Sequence, residues 1–459
     1  MVSADTDWLA GRQALVIGFA RQGQALARWL PTVGAKVTVN DRRPAEKIDA
    51  NPADFPGAQF ILGEHPEYLP EGIDVVCVSG GVPLTLSPIQ DALRRGIPVT
   101  NDAQLFMERC PAPIVAITGS AGKTTTTTLV GEMVKVAGYT TWVGGNIGNP
   151  LLETLVEVRP PHRVVLELSS FQLELMTVSP FIGAILNITP NHLDRHETME
   201  NYTRAKANLI VHQSDDDKAI LGRDDPGSRG LEHLVSGDLL WFSRRELVAD
   251  GAFLAGERLV VAGSASPDGS PRVICERKDI LLRGEHNVLN ALAACAIAGA
   301  AGVKPEAMAE VIHEFRGVPH RLETVRQVNG VTYVNDSIAT APERVIAALR
   351  SYNEPLVLLV GGADKKLPWG EMVALAVSKS RHIIAFGRDG DIVVNEVRKL
   401  TGKTEGVTRV ATLDEAMAAA VKVAQAGDVV LLSPGGTSYD AYTDFEERGE
   451  HFRRLVMEL

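Results

Sequence analysis

Residues 113–134 read PIVAITGSAGKTTTTTLVGEMV and join a strand-length apolar run, a glycine-bounded loop and a helical pattern. The first N–H groups of a helix are unpaired and lie at the positive end of its dipole, so a loop that opens a helix can hold phosphate. Its glycines allow close approach of the backbone, Lys123 can reach the β and γ phosphates, and Thr124 can bind magnesium. The stretch therefore predicts an ATP or GTP site with Mg²⁺.

The loop is shorter than the usual G-x-x-x-x-G-K-[ST] pattern, because Ile117 stands five residues before Gly122. An ordinary glycine-rich turn capped by threonine is the alternative. The strand, the loop and the helix occur together, which favours the nucleotide site. The predicted phosphate-binding residues are Gly119, Ser120, Ala121, Gly122, Lys123, Thr124 and Thr125.

Apolar runs of strand length alternate with helical patterns along most of the chain. The runs are QALVIGF, DVVCVSG, PIVAITG, RVVLELS, FIGAILNIT, PLVLLVGG, HIIAFG and DVVLLSPGG. Continuous runs of Val, Ile and Leu that end in Gly or Ser are typical of parallel strands covered on both faces. The stretch from Asp224 to Lys278, rich in Gly, Ser and Asp, predicts hairpins and turns. The sequence therefore predicts a multi-domain α/β protein.

Length and composition limit the class of protein. The 459 residues, 45% hydrophobic and 22% charged, suit about two to four globular domains. Proline-containing stretches near residues 98–113 and 316–320 predict the boundaries. A net charge of -11 argues against nucleic-acid binding by bulk charge. The four separated cysteines favour neither a disulfide framework nor a zinc site, and we expect a cytoplasmic protein without signal peptide or membrane span.

A second glycine-bounded turn, GFARQG at residues 18–23, follows the first predicted strand, and Asp41 ends the next one. It is a variant of the dinucleotide fingerprint with Ala20 in place of the second glycine. A nucleotide-shaped ligand and simple packing of a helix on a strand both stay open, and nothing specifies NAD.

Several polar residues of the middle region suit a nucleotide site. Glu167 lies at the end of a predicted strand, and His192 follows the next one, at the edge where a doubly wound sheet also places the phosphate loop. They could complete the coordination of magnesium, although Glu167 could pair with a surface base and His192 could cap a helix. Spacing alone suggests a solvated Lys206. Asn287 and Asn290 lie three apart on an apolar helix, so their amides need partners such as an adenine edge or a domain seam.

Four polar residues near predicted strand ends of the last third suit a small anionic substrate. They are Arg321, Asp336, Lys365 and Ser438. A lysine can bind a carboxylate, a hydroxyl can form hydrogen bonds, and an arginine with an acid can hold a ribose or phosphate. Loop capping would explain any one of them equally well.

Nine motifs follow one another along the chain: ITGSAGKTT, GGNIG, VLELSSFQLE, NITPNHLDRH, GEHNVLNALAA, PHRLE, VNDS, GGADK and SPGGTSYDAYTDFEERG. In content and order they resemble the Mur ligases of peptidoglycan synthesis over essentially the whole chain, and GGNIG with ELSSFQLE resembles the glutamate-adding members. The resemblance implies three domains: a Rossmann-like domain for the UDP-muramoyl substrate (1–101), a P-loop ATPase-like domain with a mostly parallel sheet for ATP (102–317), and a Rossmann-like domain for glutamate (318–459).

The resemblance implies an ATP-dependent ligase that adds D-glutamate to UDP-N-acetylmuramoyl-L-alanine through an acyl phosphate. Lys123 and two magnesium ions would neutralise the charge on the transferring phosphoryl group. We expect a monomer. The alternatives are an L-glutamate-adding relative, a ligase similar to folylpolyglutamate synthetase and, from another class, a non-catalytic nucleotide-binding switch.

The resemblance also implies roles for individual residues. Lys123, His192 and Lys206 would be catalytic, and Thr124, Glu167, His192 and a carbamylated Lys206 would bind magnesium. Adenosine contacts would be Asn287, Asn290, Arg321 and Asp336. Glutamate contacts would be Thr340, Lys365, Ser438 and Phe445. The UDP substrate would meet Arg21, Gln22, Asp41, Arg42, Arg43, Ser79, Gly81 and Asn146.

One loop departs from the family pattern. Residues 335–340 read NDSIAT, whereas many relatives read NDSKAT, so Ile338 replaces a lysine. Isoleucine cannot supply a positive charge near the phosphates, so that role is either dispensable or taken by another base, for which Lys366 is our candidate. The departure also leaves the stereochemistry of glutamate open.

Overall fold

A computed structural model describes residues 7–459 apart from residues 49, 147–149, 283 and 366. The chain divides into two compact units, the first ending at Phe315 and the second running from Arg316 to Leu459. Within the described ranges the first unit contains two sheets and the second unit one. The predicted α/β class with mostly parallel strands is confirmed. The division into three domains at residues 101 and 317 stays a prediction.

The first sheet is parallel, with the order β3-β2-β1-β4-β5 among the strands that the structure describes. Its strands are β1 (Gln13–Ile17), β2 (Lys36–Asp41), β3 (Gln59–Leu62), β4 (Val75–Val78) and β5 (Val99–Thr100). The helices of this region are α1 (Arg21–Trp29), α2 (Ser87–Arg94) and α3 (Asp102–Arg109). The strand order reverses between β1 and β4, and open α/β sheets bind ligands beyond the carboxyl ends of the strands at such a point.

The second sheet has the order β14-β13-β12-β11-β10-β9-β6-β8-β7 in the described part of the chain. Its strands are β6 (Ile114–Thr118), β7 (Thr141–Gly145), β8 (Arg163–Glu167), β9 (Ile182–Ile185), β10 (Lys218–Gly222), β11 (Asp238–Ser243), β12 (Gly251–Ala255), β13 (Arg258–Gly263) and β14 (Gly269–Glu276). The strands from β6 to β12 pair in parallel, and β12, β13 and β14 form an antiparallel meander. The predicted hairpins after Asp224 are therefore confirmed.

Helices pack against this sheet. They are α4 (Lys123–Val136), α5 (Ser170–Leu173), α6 (Leu193–His196), α7 (Met199–Ala207), α8 (Pro226–Arg229), α9 (Glu285–Ala300) and α10 (Pro305–Glu314). The alanine-rich α9 is buried along most of its length and packs on α4. Their shared core includes Leu129, Met133 and Leu292. Small side chains on α9 permit this close approach, and the packing fixes the beginning of α4 against the sheet.

The second unit contains a sheet with the order β15-β16-β20-β17-β18-β19, again within the described residues. Its strands are β15 (Glu323–Val328), β16 (Val331–Asn335), β17 (Leu356–Gly361), β18 (Ser380–Phe386), β19 (Val407–Arg409) and β20 (Val429–Gly435). Its helices are α11 (Pro342–Arg350), α12 (Gly370–Lys379), α13 (Asp391–Thr401), α14 (Leu413–Val423) and α15 (Phe445–Met457). Only β15 runs antiparallel to its neighbour.

All eight apolar runs predicted as strands form strands, and the central β17 and β20 are buried at every position. Burial on both faces explains why these runs are continuously apolar rather than alternating. Among the helices of the described residues, none is both long and apolar enough to span a membrane.

Candidate active site

The phosphate loop joins β6 to α4 and depends on two glycines. Gly122 has φ +83° and precedes the helix, and a Cβ there would overlap the side-chain oxygen of Asn290. A Cβ at Gly119 would lie 3.0 Å from the Cβ of Leu186. The loop therefore adopts a conformation in which any side chain at Gly122 would be strained, as the sequence pattern predicted.

Asn187, just after β9, braces this loop. Its Oδ1 accepts the N–H of Ala121 at 2.9 Å, and its Nδ2 donates to the oxygen of Ala121 at 3.0 Å. The N–H of Ser120 donates to the backbone oxygen of Asn187 at 3.0 Å. The sequence analysis did not identify Asn187. Its position at the same sheet edge as the loop could have indicated this contact.

Two lysines meet beneath the loop. The Nζ of Lys123 donates to the backbone oxygen of Gly119 at 2.9 Å, and the Nζ of Lys206 donates to the same oxygen at 3.0 Å and to Thr118 Oγ1 at 3.1 Å. Lys206 is buried, so the expectation of a solvated lysine from spacing alone was wrong, because α7 packs this side chain under the loop. Burial, aided by the charge of Lys123, holds the pKa of Lys206 well below its ordinary value, while Glu167 opposes this.

Glu167 lies at the end of β8 and is buried, which removes the alternative of a surface ion pair. Asn146 Nδ2 donates to Glu167 Oε1 at 2.9 Å, and the Asn146 N–H donates to the backbone oxygen of Glu167 at 2.8 Å. The other carboxylate oxygen, Oε2, is buried and has no hydrogen-bond partner among the described residues. A buried, unpartnered carboxylate oxygen beside a phosphate loop fits a cation site.

The described residues hold no group of three or more His, Cys, Asp or Glu side chains that could bind a metal ion by themselves. A cation at Glu167 would therefore take further ligands of other kinds, such as a hydroxyl, a phosphate oxygen or a carbamate. Magnesium in nucleotide sites is held in this way, by one or two carboxylates with substrate phosphates and water.

Ring contacts connect His192 to Lys206. The ring of His192 meets Phe171 edge-on at 5.0 Å, and Phe171 stacks on His196 at 5.4 Å. His196 contacts Tyr202 at 5.3 Å, and the Nζ of Lys206 lies 4.9 Å from the ring of Tyr202. His192 itself is exposed, has φ +53° and precedes α6. The sequence analysis missed Tyr202, although its position four residues before Lys206 places both on one helix face.

A cavity of about 280 Å³ adjoins the phosphate loop. Phe242 and Leu289 give it apolar walls, and Asn290 gives it a polar edge. The Nδ2 of Asn290 donates to Asn287 Oδ1 at 2.9 Å, so the two predicted asparagines form one hydrogen-bonded pair. Arg244 also lines the cavity, and its guanidinium contacts Glu285. Apolar walls with one amide edge suit a flat heterocycle such as a nucleobase.

A larger cleft of about 840 Å³ opens beyond the carboxyl ends of β1 and β4. All eight residues predicted to meet the UDP substrate line it: Arg21, Gln22, Asp41, Arg42, Arg43, Ser79, Gly81 and Asn146. His65 and Phe171, which the sequence analysis did not single out, line it as well. The turn at residues 18–23 thus lies beside a cleft large enough for a nucleotide-sized ligand.

Asp41 accepts hydrogen bonds from two backbone segments that line this cleft. Its Oδ2 accepts the N–H of Phe19 at 2.7 Å, and its Oδ1 accepts the N–H of Arg43 at 2.8 Å and the Nε–H at 3.0 Å. Burial alone would raise the pKa of Asp41, but these bonds and the charge of Arg43 prevail and lower it to about 2. The Oε1 of Gln22 accepts the N–H of Gly80 at 2.8 Å in the same way. Both side chains position backbone loops around the cleft.

In the second unit, Asp336 is buried at the end of β16. Its Oδ2 accepts the hydroxyl of Ser433 at 2.8 Å, and its Oδ1 accepts the N–H of Leu322 at 3.2 Å. Burial raises the pKa of Asp336 to about 7, although these bonds and the charges of Arg321 and Arg344 lower it in part. Arg321 is exposed. The structure therefore brings Arg321 and Asp336 together at one strand end.

Two loops of this unit carry the residues predicted to hold glutamate. The Nζ of Lys365 donates to Thr340 Oγ1 at 3.1 Å. The loop before Lys365 is joined to the loop before Ser438 by paired backbone bonds between Ala363 and Thr437, at 2.8 and 2.9 Å. Ser438 is buried. The loops therefore meet beside one edge of the sheet.

Phe445 begins α15, and its backbone oxygen accepts the hydroxyl of Ser337 at 2.7 Å. Its ring also lies edge-on to the ring of His320, with centroids 6.3 Å apart. Phe445 is therefore tied to the NDSIAT loop through Ser337.

Comparison with known proteins decides the family. The Mur ligase middle domain matches residues 117–298, and the Mur ligase glutamate ligase domain matches residues 320–436. The chain belongs to the Mur ligase family. A UDP-N-acetylmuramoylalanine--D-glutamate ligase of Pelotomaculum thermopropionicum is 41% identical over 454 residues, which cover 98% of each chain. The protein of the same name from Clostridium botulinum strain 657 is 38% identical over 99% of this chain and 98% of its own.

Solved Mur ligases share the fold at low identity. The UDP-N-acetylmuramate-alanine ligase of Thermotoga maritima aligns with a TM-score of 0.55 at 19% identity, over 97% of this chain and 99% of its own. The UDP-N-acetylmuramoylalanyl-D-glutamyl-2,6-diaminopimelate--D-alanyl-D-alanyl ligase of Acinetobacter baumannii aligns with a TM-score of 0.53 at 19% identity, over 98% and 91% of the two chains. These similarities extend the Mur ligase architecture to essentially the whole chain.

This Mur ligase also contains a buried arginine that the sequence analysis missed. Arg448, on α15, donates from Nε to Ser337 Oγ at 3.0 Å, from Nη2 to the oxygen of Ser337 at 2.9 Å and from Nη1 to the oxygen of Gly436 at 3.3 Å. Burial lowers its pKa to about 10. An arginine in a helix is ordinarily solvated, so only the tertiary packing reveals that Arg448 ties the NDSIAT loop to the glycine loop after β20.

Two residues of the motifs that resemble Mur ligases, Ile147 and Gly148 of GGNIG, lie outside the described residues. So does Lys366, our candidate for the charge missing at Ile338. The role of Lys366 stays a prediction.

Proposed function

We propose that this chain is an ATP-dependent ligase that joins D-glutamate to the alanyl carboxylate of UDP-N-acetylmuramoyl-L-alanine in peptidoglycan precursor synthesis. The observation that carries the proposal is the 41% identity, over 98% of the chain, to a ligase of that name. The described geometry supplies the matching parts: a phosphate loop with Lys123, an adjoining cavity and a nucleotide-sized cleft.

The reaction has two steps. The alanyl carboxylate attacks the γ phosphate of ATP, an O–P bond forms, and ADP leaves. The amine of glutamate then attacks the acyl phosphate carbon, a C–N bond forms, the C–O bond to phosphate breaks, and a proton is lost from nitrogen. Lys123 at the start of α4 offsets negative charge that spreads over the transferring phosphoryl group, and the N–H groups of the loop bind its oxygens.

Magnesium fits the residues present, because Oε2 of Glu167 is buried and has no hydrogen-bond partner in the described part of the chain. Thr124, Glu167, His192 and Lys206 are the residues that would hold it. When bound, Mg²⁺ would lower the negative charge that the incoming carboxylate meets. Asn146 positions Glu167 through the bond to its other oxygen.

Lys206 would serve magnesium as a carbamate rather than as an ammonium group, which the metal would repel. Its low pKa makes the neutral amine available, and that amine adds to carbon dioxide with formation of an N–C bond and release of one proton. The product is an anionic oxygen ligand. The bonds from Nζ to Thr118 and Gly119 place the amine beside the phosphate loop.

The remaining predicted site residues are assigned to the UDP-muramoyl substrate, to adenosine or to glutamate. The eight residues of the cleft beyond β1 and β4 would bind the UDP-muramoyl substrate. Asn290, which lines the cavity beside the phosphate loop, would contact adenosine. Asn287, Arg321 and Asp336 stay predicted adenosine contacts. Thr340, Lys365, Ser438 and Phe445 would bind glutamate, with Lys365 pairing with a carboxylate. We expect a cytoplasmic monomer.

Phosphate release from ATP tests this proposal. It should require UDP-N-acetylmuramoyl-L-alanine and glutamate together and should stop when either is left out. Release without either substrate would indicate a nucleotide switch, and release with folate and glutamate would indicate the folate-type ligase. Either result would contradict the proposal.

A further inference from the structure

An arginine side chain lies beside the NDSIAT loop, in which Ile338 stands in place of the lysine of many relatives. Ile338 is half-buried between β16 and α11, and its backbone oxygen accepts a hydrogen bond from Nη1 of Arg344 at 3.1 Å. Arg344 lies in the first turn of α11, six residues after Ile338. A positive side chain therefore reaches the place in the loop from which the lysine is missing.

The local sequence explains why the side chain of Arg344 points toward this loop. Helix α11 follows Ala341 and begins with Pro342, which is favoured at the first helical position because its missing N–H would be unpaired there. Arg344 is then the third residue of the helix. Long helical side chains point back toward the N-terminus of their helix, so Arg344 is directed at the loop that precedes it.

Three cations approach the NDSIAT loop, and none of them forms an ion pair with a described residue. Arg344 donates to Ile338, Lys365 donates to Thr340, and Arg448 donates to Ser337 and Gly436. Burial lowers the pKa of Lys365, and the charges of Arg344 and Arg448 lower it further, so both arginines repel Lys365. A cation in the first turn of a helix is also unfavourable toward the helix dipole. The charge of Arg344 already acts on Asp336, and that of Arg448 on Asp440. A bound anion would stabilise the cluster further.

Arg344 is suited to contact that anion directly. It is exposed, and its bond to Ile338 uses one of five N–H donors. Its planar fork can hold both oxygens of a carboxylate, whereas Lys365 offers a point charge. Arg448 is buried behind the loop and its donors are directed at backbone and hydroxyl oxygens.

We propose that Arg344, on α11, binds a carboxylate of the incoming dicarboxylic amino acid and places a positive charge beside the loop that contains Ile338. The inference rests on the proposed function, since it assigns a specificity residue to the glutamate site. Lys365 holds one carboxylate and Arg344 the other, so an acceptor with only one carboxylate binds poorly.

Steady-state kinetics of the full-length enzyme test the assignment. Arg344→Gln should raise the KM for D-glutamate by about 10- to 100-fold, because a charge-assisted hydrogen bond is lost. The KM values for ATP and the UDP substrate should stay within about twofold, since the described side-chain hydrogen bond of Arg344 is to Ile338, which is not assigned to either substrate. The preference for D-glutamate over D-glutamine should fall by a similar factor. Arg350→Gln, at the other end of α11, is the matched control and should leave all constants unchanged.

Moving the positive charge from position 344 to position 338 distinguishes a binding role of Arg344 from a structural one. The double variant Ile338→Lys with Arg344→Gln should recover most of the affinity for D-glutamate, because the positive charge returns to the loop. Arg344→Lys should recover only part of it. Thermal unfolding should show similar Tm values for all variants.

Several outcomes would overturn the inference. Arg344→Gln could leave the KM for D-glutamate unchanged, or could raise the KM of every substrate with a lowered Tm. A rise in that KM from Lys366→Ala, with none from Arg344→Gln, would assign the charge to Lys366. Wild-type enzyme that releases no phosphate with glutamate would count against the proposed function instead, so the two failures are distinguishable.

Discussion

Lys123 and Lys206 direct their side-chain nitrogens to the same acceptor, the backbone oxygen of Gly119, at 2.9 and 3.0 Å. Two ammonium groups on one oxygen repel each other, and burial adds to the cost for Lys206. A neutral amine has two N–H groups, which match the two bonds from Lys206 to Thr118 and Gly119. The two lysines therefore share one acceptor beneath the phosphate loop, and burial disfavours the charged form of Lys206.

Lys206→Ala should abolish most turnover, by at least about 100-fold, because the proposed anionic magnesium ligand is lost. Acetate or formate, added with bicarbonate, should restore part of the rate by supplying a carboxylate oxygen. Lys135→Ala, an exposed lysine of α4, is the control. ¹³C NMR with labelled bicarbonate should show a carbamate signal in wild type and none in Lys206→Ala. Full activity in the alanine variant would remove the carbamate proposal.

Gly122→Ala should raise the KM for ATP by at least about tenfold, because a Cβ would overlap Asn290 in a backbone conformation with φ +83°. Gly138→Ala is a matched control, since Gly138 has φ +92° but open space around it. This control separates the cost of a side chain at positive φ from the cost of the steric overlap with Asn290. Equal effects of the two substitutions on ATP binding would show that the fit against Asn290 is unimportant.

Asp336→Asn should change how stability depends on pH. The folded-state pKa of about 7 lies above the ordinary value of 3.8, so the wild type loses stability as pH rises between these values, by up to about 1.4 kcal/mol per pH unit. Asparagine has no charge to bury, so the Tm of the variant should rise relative to that of wild type from pH 5 to pH 8. A constant Tm difference over that range would show that Asp336 does not titrate there.

Asp41→Asn should raise the KM for the UDP substrate by about tenfold and leave the KM for ATP unchanged, because hydrogen bonds from Phe19 and Arg43 to a charged oxygen are weakened. The loops around the cleft would then lose their fixed positions. Asp54→Asn, at an exposed site of the same region, is the control. The account of this cleft fails if the KM for ATP rises and that for the UDP substrate does not.

The features that local sequence governs could be predicted. Apolar runs identified the buried strands, and glycine spacing identified the loop at Gly119 and Gly122, because burial and φ act on the residues themselves. The polar residues near strand ends were placed at sheet edges by topology alone. The resemblance assigned the eight residues of the cleft beyond β1 and β4, and all eight line it.

Features that depend on packing between distant segments could not be predicted. Arg448 lies on a helix but holds a loop 111 residues away, and Lys206 bonds to Thr118 across 88 residues. In the sequence both resemble ordinary solvated cations. Arg344 escaped notice for the same reason, since the bond to Ile338 needs the turn between strand and helix to bring the guanidinium back to the loop.

The stereochemistry of the acceptor is the most direct test of the central claim. Purified enzyme with ATP, Mg²⁺ and UDP-N-acetylmuramoyl-L-alanine should be given D-glutamate and L-glutamate in parallel, with phosphate release and product mass measured in each. We predict one phosphate per amide bond formed with D-glutamate and little turnover with L-glutamate. Efficient turnover with L-glutamate alone, or with neither, would contradict the assignment of this chain as a D-glutamate ligase.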